Sequence, residues 1–353
     1  MDGVYQVKTF QYRIKDGNVR DKLNKWASKV NLVWNFCVEQ QRWARSRARK
    51  FLSAYDFQKL TAGSSKELGL NSATIQMIGA RFVESSIQHK KICKFRSYKK
   101  NLGWIPFRGD CIKINDGIIK FNGSTFKFWN SREILGTIKS GSFSCDVLGN
   151  WYINVTTNYE AELYCDNGEV GIDLGSKDIA TLSNGTKYEN PKFYRQLETK
   201  LGKAQRAGKK KQAKKISKKI SNQRKDYLHK MTTEIANNNK LIVVGDIGSK
   251  KLAKTRMAKS TNDAAWGMIK TLLGYKAIER GGVCLVVNEA NTTRVCHVCG
   301  VVSDNSPKGL SGLGIREWQC NDCGTIHDRD VNASLNILAL GCKSLANKQH
   351  NAA

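Results

Sequence analysis

The sequence predicts an α/β protein in two parts: a β-barrel with a helical insertion, and a partly parallel α/β sheet that contains a zinc ribbon. Strand-like alternation over residues 4–14 returns over 104–158, on either side of a stretch with helical spacing. From Val170 onward, strand and helix patterns alternate, as in a sheet with crossover helices. Two Cys-x-x-Cys motifs near the end of the chain indicate the ribbon.

The N-terminal part has helices between two β segments. Apolar residues at helical spacing, mixed with basic residues, fill the stretch from about Arg20 to Lys100. The strands that follow are short and are separated by Asp-Gly, Asn-Gly and Gly-Asn turns. A β segment on both sides of the helices predicts one barrel that the helices interrupt.

The C-terminal part alternates between strands and helices. GEVGIDLGSKDIATLSNG predicts strand, turn and strand, and LIVVGD and VCLVVNE predict two further strands, both buried. Residues 193–237 and 255–280 have helical patterns. The apolar strands predict a sheet that is covered by helices.

The charge predicts a polyanionic partner. The 353 residues include 59 Lys and Arg against 30 Asp and Glu, a formal charge of +29. This charge is spread through most of the chain, whereas proteins that bind acidic membrane surfaces usually concentrate it in one amphipathic segment. We find no apolar run of about 18 residues and no apolar signal-peptide core. We therefore expect an intracellular protein that binds nucleic acid.

Two basic stretches are candidates for contact with phosphates. Residues 200–230 hold thirteen Lys and Arg and one acid, Asp226, between two core strands, which favours a helix pair on a nucleic-acid backbone over a merely solvated surface. Three arginines in the N-terminal half would share one helix face, which could follow a phosphate backbone or could be a solvated basic surface. The candidates are Arg42, Arg45, Arg49, Lys209, Lys210, Lys214, Lys218 and Arg224.

The paired cysteines predict a structural zinc site. Twenty residues separate the two motifs, and each tight turn can present two thiolates to a tetrahedral ion. Gly300 and Gly324 follow the motifs, where such a turn often needs a positive φ. A site closed by four cysteines leaves no position for a substrate; a pair of redox dithiols is the alternative. The zinc ligands would be Cys296, Cys299, Cys320 and Cys323.

Two segments offer carboxylates. Asp173 lies in a strand and shares its face with Gly171 and Gly175, which predicts bare backbone with room for a phosphodiester and metal ions, although an Asp in a glycine turn would look the same. In HDRDVNASLNIL, Asp328 or Asp330 could cap the following helix or serve as a metal ligand.

Because the ribbon directly precedes it, this last segment indicates a specific protein family. The run from GIDLGSKDIATLSNG through the basic helices to TTRVCHVCG and WQCNDCGTIHDRDVNASLNIL resembles the TnpB family over about half of the chain. These are transposon-encoded, RNA-guided nucleases ancestral to type V CRISPR effectors. The resemblance implies an RNase H-like RuvC domain with an inserted zinc ribbon, and a wedge β-barrel interrupted by a helical recognition lobe. It also implies a guide RNA from the transposon end and double-stranded target DNA beside a short flanking motif.

The family plan divides the chain into wedge, recognition, nuclease and ribbon regions. The expected boundaries are 1–18 and 104–165 for the wedge barrel, 19–103 for the recognition lobe, 166–291 and 325–345 for the RuvC-like domain, 292–324 for the ribbon and 346–353 for a tail. Residues 248–263 resemble the family's lid over the catalytic pocket. The resemblance places the protein in the cytoplasm of a bacterium or archaeon, at the nucleoid. The oligomeric state stays open.

The family's catalytic set is three carboxylates, and one of them is missing here. The first motif falls on Asp173 and the last on Asp330, but the Glu that usually ends the middle strand is Gly245, followed by Asp246. Two Mg²⁺ or Mn²⁺ ions need bridging carboxylates to offset their mutual repulsion. The chain could therefore be a nuclease-inactive repressor, or Asp246 could substitute, although strand alternation aims it at the opposite face.

The third interpretation, and the preferred one, moves the missing carboxylate to Glu289. Residues 283, 285, 287 and 289 share one face of the next strand, and Glu289 ends it. If that strand neighbours LIVVGD, a Glu side chain can reach the space left at Gly245. The predicted catalytic residues are Asp173, Glu289 and Asp330, with Asp246 as a substitute candidate, in a two-metal endonuclease. A basic RNA-binding protein without a DNA target is a further alternative.

Overall fold

In a computed structural model of the chain, the described residues are 5–15, 17, 19–48, 50–97, 99, 101–160, 168–247, 264–308 and 311–350. They form two compact units, Met1–Glu160 and Ala161–Ala353. Arg49 and the segment that resembles a lid, 248–263, lie outside the described residues. No helix among those described is long and apolar enough to cross a bilayer.

The first unit contains a four-stranded antiparallel sheet in the order β1-β7-β6-β2. Its strands are β1 (Tyr5–Arg13), β2 (Trp104–Arg108), β6 (Thr137–Cys145) and β7 (Trp151–Glu160). A three-stranded meander consists of β3 (Ile112–Asn115), β4 (Ile118–Phe121) and β5 (Ser124–Lys127). The Asp-Gly and Asn-Gly turns between the meander strands have positive φ at both residues, which is the hairpin geometry that these dipeptides favour.

Between β1 and β2 the described part of the chain forms four helices: α1 (Val19–Ala48), α2 (Ala54–Leu60), α3 (Ser64–Leu68) and α4 (Ser72–Gln88). Ser53 and Asp56 form a reciprocal capping box at the start of α2, which satisfies amide groups that the helix leaves without partners. Because β1 pairs along its whole length with β7, these helices interrupt a single sheet. The sequence predicts one interrupted barrel, whereas the described strands of this unit form the four-stranded sheet and the separate three-stranded meander.

The second unit is built on a five-stranded sheet in the order β10-β9-β8-β11-β12. The strands are β8 (Glu169–Asp173), β9 (Asp178–Leu182), β10 (Lys187–Glu189), β11 (Leu241–Gly245) and β12 (Val283–Val287). Strands β8, β11 and β12 are parallel, and β9 is antiparallel to both of its neighbours. The predicted partly parallel sheet is confirmed.

Helices cover both faces of this sheet. They are α5 (Phe193–Arg206), α6 (Lys210–Asn238), α7 (Trp266–Glu279) and α8 (Arg329–His350). Ile172 and Val244 share a core with residues of α6 and α7, whereas Val243 packs with Ile337 of α8. The basic stretch predicted as a helix pair is α5 and α6, which are separated by residues 207–209.

The prediction that both VCLVVNE and LIVVGD are buried is wrong for the first of them. Every residue of β11 is buried, but β12 is the last strand of the sheet, and Val283 and Val286 are 44% and 52% exposed. Amino-acid composition could not show which of the two strands is buried, because an apolar edge strand can have the same residues as a central strand. A two-stranded hairpin, β13 (Glu317–Gln319) and β14 (Ile326–Asp328), leads into α8.

Candidate functional site

Asp173 is the last residue of β8, on the sheet face that α8 covers. The predicted open space beside it is wrong at Gly171, because a Cβ there would overlap the carbonyl oxygen of Ser334 and lie 2.8 Å from the Leu338 nitrogen. A Cβ at Gly175 would lie 2.6 Å from the carbonyl oxygen of Asp178. The two glycines therefore admit the backbone of α8 and of the following turn rather than a substrate.

Asp328 and Asp330 have different partners, which resolves the alternatives that the sequence leaves open. Asp328 Oδ1 accepts hydrogen bonds from the backbone amides of Asp330 and Val331, both at 3.0 Å, so Asp328 caps α8. Its Oδ2 accepts a bond of 2.5 Å from Lys187. Burial raises the pKa of Asp328, but the Lys187 and amide bonds outweigh it and hold the pKa below its usual range. Asp330 instead accepts a bond of 2.8 Å from Arg316 Nη1.

Glu289 lies two residues beyond β12 and turns toward Gly245. Gly245 pairs in register with Val287, and a Cβ on Gly245 would overlap Glu289 Oε2 and lie 3.0 Å from Ile337 Cδ1. The Glu289 carboxyl therefore occupies the space that a side chain at position 245 would take. Its Oε2 is buried and has no hydrogen-bond partner.

The charges of the other two carboxylates act on Asp173. Desolvation, followed by the charges of Asp330 and Glu289, raises the pKa of Asp173 to about 7, against smaller opposing effects from Arg329 and the Leu174 amide. Desolvation also raises the pKa of Glu289; the charge of Lys270 opposes this rise, and the charge of Asp246 adds to it. Oxygen ligands that share negative charge in a partly desolvated place suit a hard divalent cation such as Mg²⁺ or Mn²⁺.

Asp246 has a different environment. Its Oδ1 lies 2.6 Å from Nζ of Lys270, a residue of α7, and its side chain is 59% exposed. Because α7 and α8 cover opposite faces of the sheet, strand alternation separates Asp246 from Gly245 as the sequence predicts. The ion pair with Lys270 gives this carboxylate a partner that Glu289 Oε2 lacks.

The four cysteines come together as a candidate zinc site. Their sulfur atoms all lie within 4.8 Å of one another, and among the residues that the structure describes this is the one cluster of potential metal ligands so tightly grouped. The Cys296–Cys323 and Cys299–Cys320 pairs are 3.6 and 3.7 Å apart. A tetrahedron with Zn–S bonds of about 2.3 Å needs sulfurs roughly 3.8 Å apart.

The two zinc turns have the backbone that the sequence predicts. Gly300 has φ 76° and Gly324 has φ 71°, and each glycine amide donates 2.9 Å to the carbonyl of the first cysteine in its motif. Positive φ is freely available to glycine, so the turns can close without strain. The residues present thus fit a structural Zn²⁺.

Three site residues escaped the sequence-based prediction. Arg316 reaches Asp330 because β13 pairs with β14, and Arg329 donates its amide 2.7 Å to the Arg316 carbonyl. His327 is buried with Nε2 at 3.1 Å from the Cys296 sulfur. Asn332 contacts the first zinc turn. Only the position of Arg316 within the ribbon, and of His327 just after the second Cys-x-x-Cys motif, could have drawn attention to them.

Most of the predicted phosphate contacts lie at the surface. Arg42, Arg45, Lys209, Lys210 and Lys214 are exposed. The other two described candidates, Lys218 and Arg224, are partly buried.

The comparisons with known proteins agree with the arrangement of these motifs. A family model described as "Probable transposase" (OrfB_IS605) matches residues 154–256, and one described as "Cas12f1-like, TNB domain" matches residues 266–337. The chain is 34% identical over 218 residues to a "Putative RNA-guided DNA endonuclease" of Streptomyces pristinaespiralis, over 58% of this chain and 53% of that one.

Two more relatives extend the pattern. The "Putative RNA-guided DNA endonuclease InsQ" of Escherichia coli K12 is 31% identical over 250 residues, which is 62% of this chain and 61% of that one. The TnpB-like protein L79 of Acanthamoeba polyphaga mimivirus is 29% identical over 137 residues, 36% of this chain and 25% of that one. The chain resembles TnpB-family proteins over the regions that these matches cover. The resemblance to that family, which the motifs predict, is therefore confirmed.

The fold of this chain also has a solved counterpart. Cas12f1, determined in a complex with sgRNA and target DNA, superimposes with a TM-score of 0.59 over 94% of this chain and 98% of that one, at 12% identity. At this identity the likeness concerns the fold alone. The matches to the first two relatives span 53% and 61% of the lengths of those proteins.

Proposed function

We propose that this chain is an RNA-guided DNA endonuclease of a transposable element, which cuts target DNA beside a short flanking motif. Its catalytic carboxylates are Asp173, Glu289 and Asp330. The observation that carries the proposal is Glu289 Oε2, which is buried without a donor in the space beside Gly245. An unsatisfied carboxylate oxygen is costly inside a protein, and a divalent cation is the group that would satisfy it.

Asp173, Glu289 and Asp330 would hold the ions from three parts of the fold. Asp173 ends a central strand, Glu289 follows the edge strand, and Asp330 lies in the first turn of α8. Bound Mg²⁺ or Mn²⁺ would supply activation of the attacking water and stabilisation of the leaving oxygen. The Lys187 bond leaves Asp328 occupied as the helix cap, so Asp330 remains the acid on this helix that faces Asp173.

The proposed partners are a guide RNA and double-stranded DNA. Two relatives are named as RNA-guided DNA endonucleases, and the structural counterpart was solved with sgRNA and target DNA. The formal charge of +29 fits polyanionic partners. Base pairing with the guide would select the sequence, while the protein would contact the backbone and a short flanking motif. The exposed basic residues of α1 and α6 are the proposed phosphate contacts.

We assign the domains by the family plan. Pairing of β1 with β7 supports a wedge (1–18 and 104–165) that the recognition lobe (19–103) interrupts. The five-stranded sheet with three parallel strands supports a RuvC-like domain of the RNase H type (166–291 and 325–345). The ribbon (292–324) lies between β12 and α8, and β14 joins it to the helix.

The test of the catalytic set is cleavage of matched DNA by the guide–protein complex in Mg²⁺ or Mn²⁺. Glu289→Ala should lower the cleavage rate by roughly a hundredfold or more, as expected for a group acting on the transition state. Asp246→Ala is the matched control, because it removes a neighbouring carboxylate on the opposite sheet face, and it should keep activity within a few-fold. Full activity in Glu289→Ala would remove this residue from the set.

A transfer variant sharpens the test. Gly245→Glu alone should be inactive, because its side chain overlaps the Glu289 carboxyl. Combining Gly245→Glu with Glu289→Ala should recover part of the activity by returning the acid to the family's usual strand position. A complex that binds matched DNA without cutting it supports the repressor alternative. RNA binding without any DNA target supports the alternative of a basic RNA-binding protein.

A further inference from the structure

Asn332 is a buried amide in the first turns of α8, two residues after Asp330. Its Nδ2 donates to the carbonyl oxygens of Thr292 at 3.3 Å and Val295 at 2.8 Å. Its Oδ1 accepts from the backbone amide of His297 at 3.0 Å and lies 3.0 Å from His297 Nδ1. Because only the NH₂ group can bond the two carbonyls, the amide has one orientation, and all of its hydrogen-bonding capacity is used.

The segment held by Asn332 joins the two metal sites. At one end, the amide and hydroxyl of Thr292 donate to the Glu289 carbonyl at 3.2 and 2.9 Å. At the other end, His297 lies in the first zinc turn, next to Cys296. Asn332 thus bonds Thr292 and His297 of the segment 289–297 to the helix that carries Asp330, and Thr292 in turn bonds Glu289. A buried polar network with every member satisfied is rigid.

Asn336 provides a natural comparison one turn along the same helix. Its Nδ2 donates to the same carbonyl oxygens, of Thr292 at 2.9 Å and Val295 at 2.8 Å. The contact with His297 belongs to Asn332 alone of the two. Any difference between the effects of substituting Asn332 and Asn336 therefore reports the contact of Asn332 with His297 in the zinc turn.

We propose that Asn332 is a positioning residue that couples zinc occupancy to divalent-ion binding by the carboxylates. Zinc holds the first turn, the turn holds His297, and Asn332 passes that position to Glu289 and Asp330. The inference rests on the proposed function, because it takes Asp173, Glu289 and Asp330 as the divalent-ion ligands. Coupling between two binding sites is reciprocal, so ions at the carboxylates also slow the loss of zinc.

Two measurements on the full-length protein test the coupling. The first is the rate of zinc release to a colorimetric chelator, and the second is the Kd for Mn²⁺ from the EPR signal of free Mn²⁺. Asn332→Ala should accelerate zinc release and weaken Mn²⁺ binding, each by about tenfold, the size expected for partners that orient metal ligands. Asn336→Ala should change both by less than about twofold.

His297→Ala is a second variant that tests the coupling even if Asn332→Ala does not fold. His297 is exposed, and its substitution leaves helix α8 unchanged. It should change both quantities in the same direction, and the double variant should add nothing to Asn332→Ala. In the unsubstituted protein, saturating Mg²⁺ should slow zinc release, and Asp330→Asn should abolish the slowing.

Zinc release from Asn332→Ala that is as slow as from Asn336→Ala overturns the inference. So does faster zinc release with unchanged Mn²⁺ binding. Failure of the proposed function has a different signature: the unsubstituted protein then binds no Mn²⁺ that Asp173→Asn removes, while the difference in zinc release between the two asparagine variants persists.

Discussion

Gly245 and Glu289 are complementary in space. Neighbouring strands are about 4.8 Å apart, and the register places Val287 beside Gly245. A long side chain two residues further along can then fold back over the vacant position, as Glu289 Oε2 does. The space beside Gly245 can thus be filled by a carboxylate that belongs to a different segment of the sequence.

Asp173→Asn should stabilise the protein in buffer without added divalent ions. The pKa of Asp173 is raised to about 7 in the folded protein, from an ordinary value of 3.8. The folded state therefore binds the proton more tightly, and stability falls as pH rises from about 4 through about 7. Above that window the ionised acid costs up to about 4 kcal/mol, which asparagine avoids.

Thermal unfolding of zinc-loaded protein checks this. The melting temperature of Asp173→Asn should exceed that of the unsubstituted protein at about pH 8, and the gap should close toward about pH 4. An unsubstituted protein that is the more stable of the two at alkaline pH contradicts the charge cluster.

Divalent-ion binding should weaken in acid. Because a bound cation must displace the proton of Asp173, whose pKa is about 7, the Kd for Mn²⁺ should rise by about tenfold per pH unit below about pH 7 and level off above it. Titrations followed by EPR at several pH values measure this. A Kd that stays level down to about pH 5 would show that Asp173 is not a ligand.

Helix α8 is the element on which the candidate site depends. It carries Asp330 and Asn332, it is capped by Asp328, and it lies close against the sheet at Gly171. Gly341 allows the same closeness on the helix side, because a Cβ there would overlap the methyl groups of Val243. Glycines on both surfaces therefore set the distance from the helix to the carboxylate on β8.

Gly171→Ala should move this helix outward. The added Cβ meets backbone atoms of Ser334 and Leu338, which cannot turn aside as a side chain can, so we expect a loss of about 1–3 kcal/mol in the free energy of unfolding. Weaker Mn²⁺ binding should accompany it as Asp330 shifts. Denaturant titration and EPR measure the two effects.

Gly274→Ala is the control for this substitution. Gly274 lies inside α7, where an added Cβ meets nothing within 4 Å. Alanine should stabilise that helix by about 0.5–1 kcal/mol and leave Mn²⁺ binding unchanged. If Gly171→Ala, like Gly274→Ala, causes no loss of stability and leaves Mn²⁺ binding unchanged, then Gly171 does not set the distance between α8 and the sheet.

At the scale of the whole molecule, charge dominates the expected binding. A formal charge of +29 on 353 residues would attract the proposed nucleic-acid partners at long range, and each phosphate contact would release counterions. The charge is unevenly placed in the second unit, since residues 200–230 carry thirteen Lys and Arg and one acid. A subset of the surface lysines should therefore determine the salt dependence.

Lys210 and Lys214 lie four residues apart on α6 and are exposed. Replacing both with glutamine should reduce the slope of log K against log salt by about 1.5 for an RNA of about 30 nucleotides, from about 0.7–0.9 per phosphate contact. Fluorescence anisotropy over a range of salt measures the slope.

Lys113 and Lys120 form the control pair for this substitution. Both are exposed, and they are paired in register between β3 and β4, outside the proposed phosphate contacts. Replacing both with glutamine removes the same charge from the protein and should leave the slope nearly unchanged. Equal slopes for the two double variants would contradict the assignment of α6 as a phosphate contact.

Local pattern alone determined a large part of this protein: the resemblance to the TnpB family, the alternation of strands and helices, the four clustered cysteines with their glycine turns, and the sheet faces of Asp173 and Glu289. These features follow from residue spacing, which the chain carries wherever it folds. Only the tertiary structure decided that β12 is an edge strand, that Gly171 admits α8, that Asp328 caps the helix while Asp330 meets Arg316, and that Asn332 bonds both Thr292 and His297. Each of these depends on which distant segments become neighbours, and spacing along one segment contains no information about its partner.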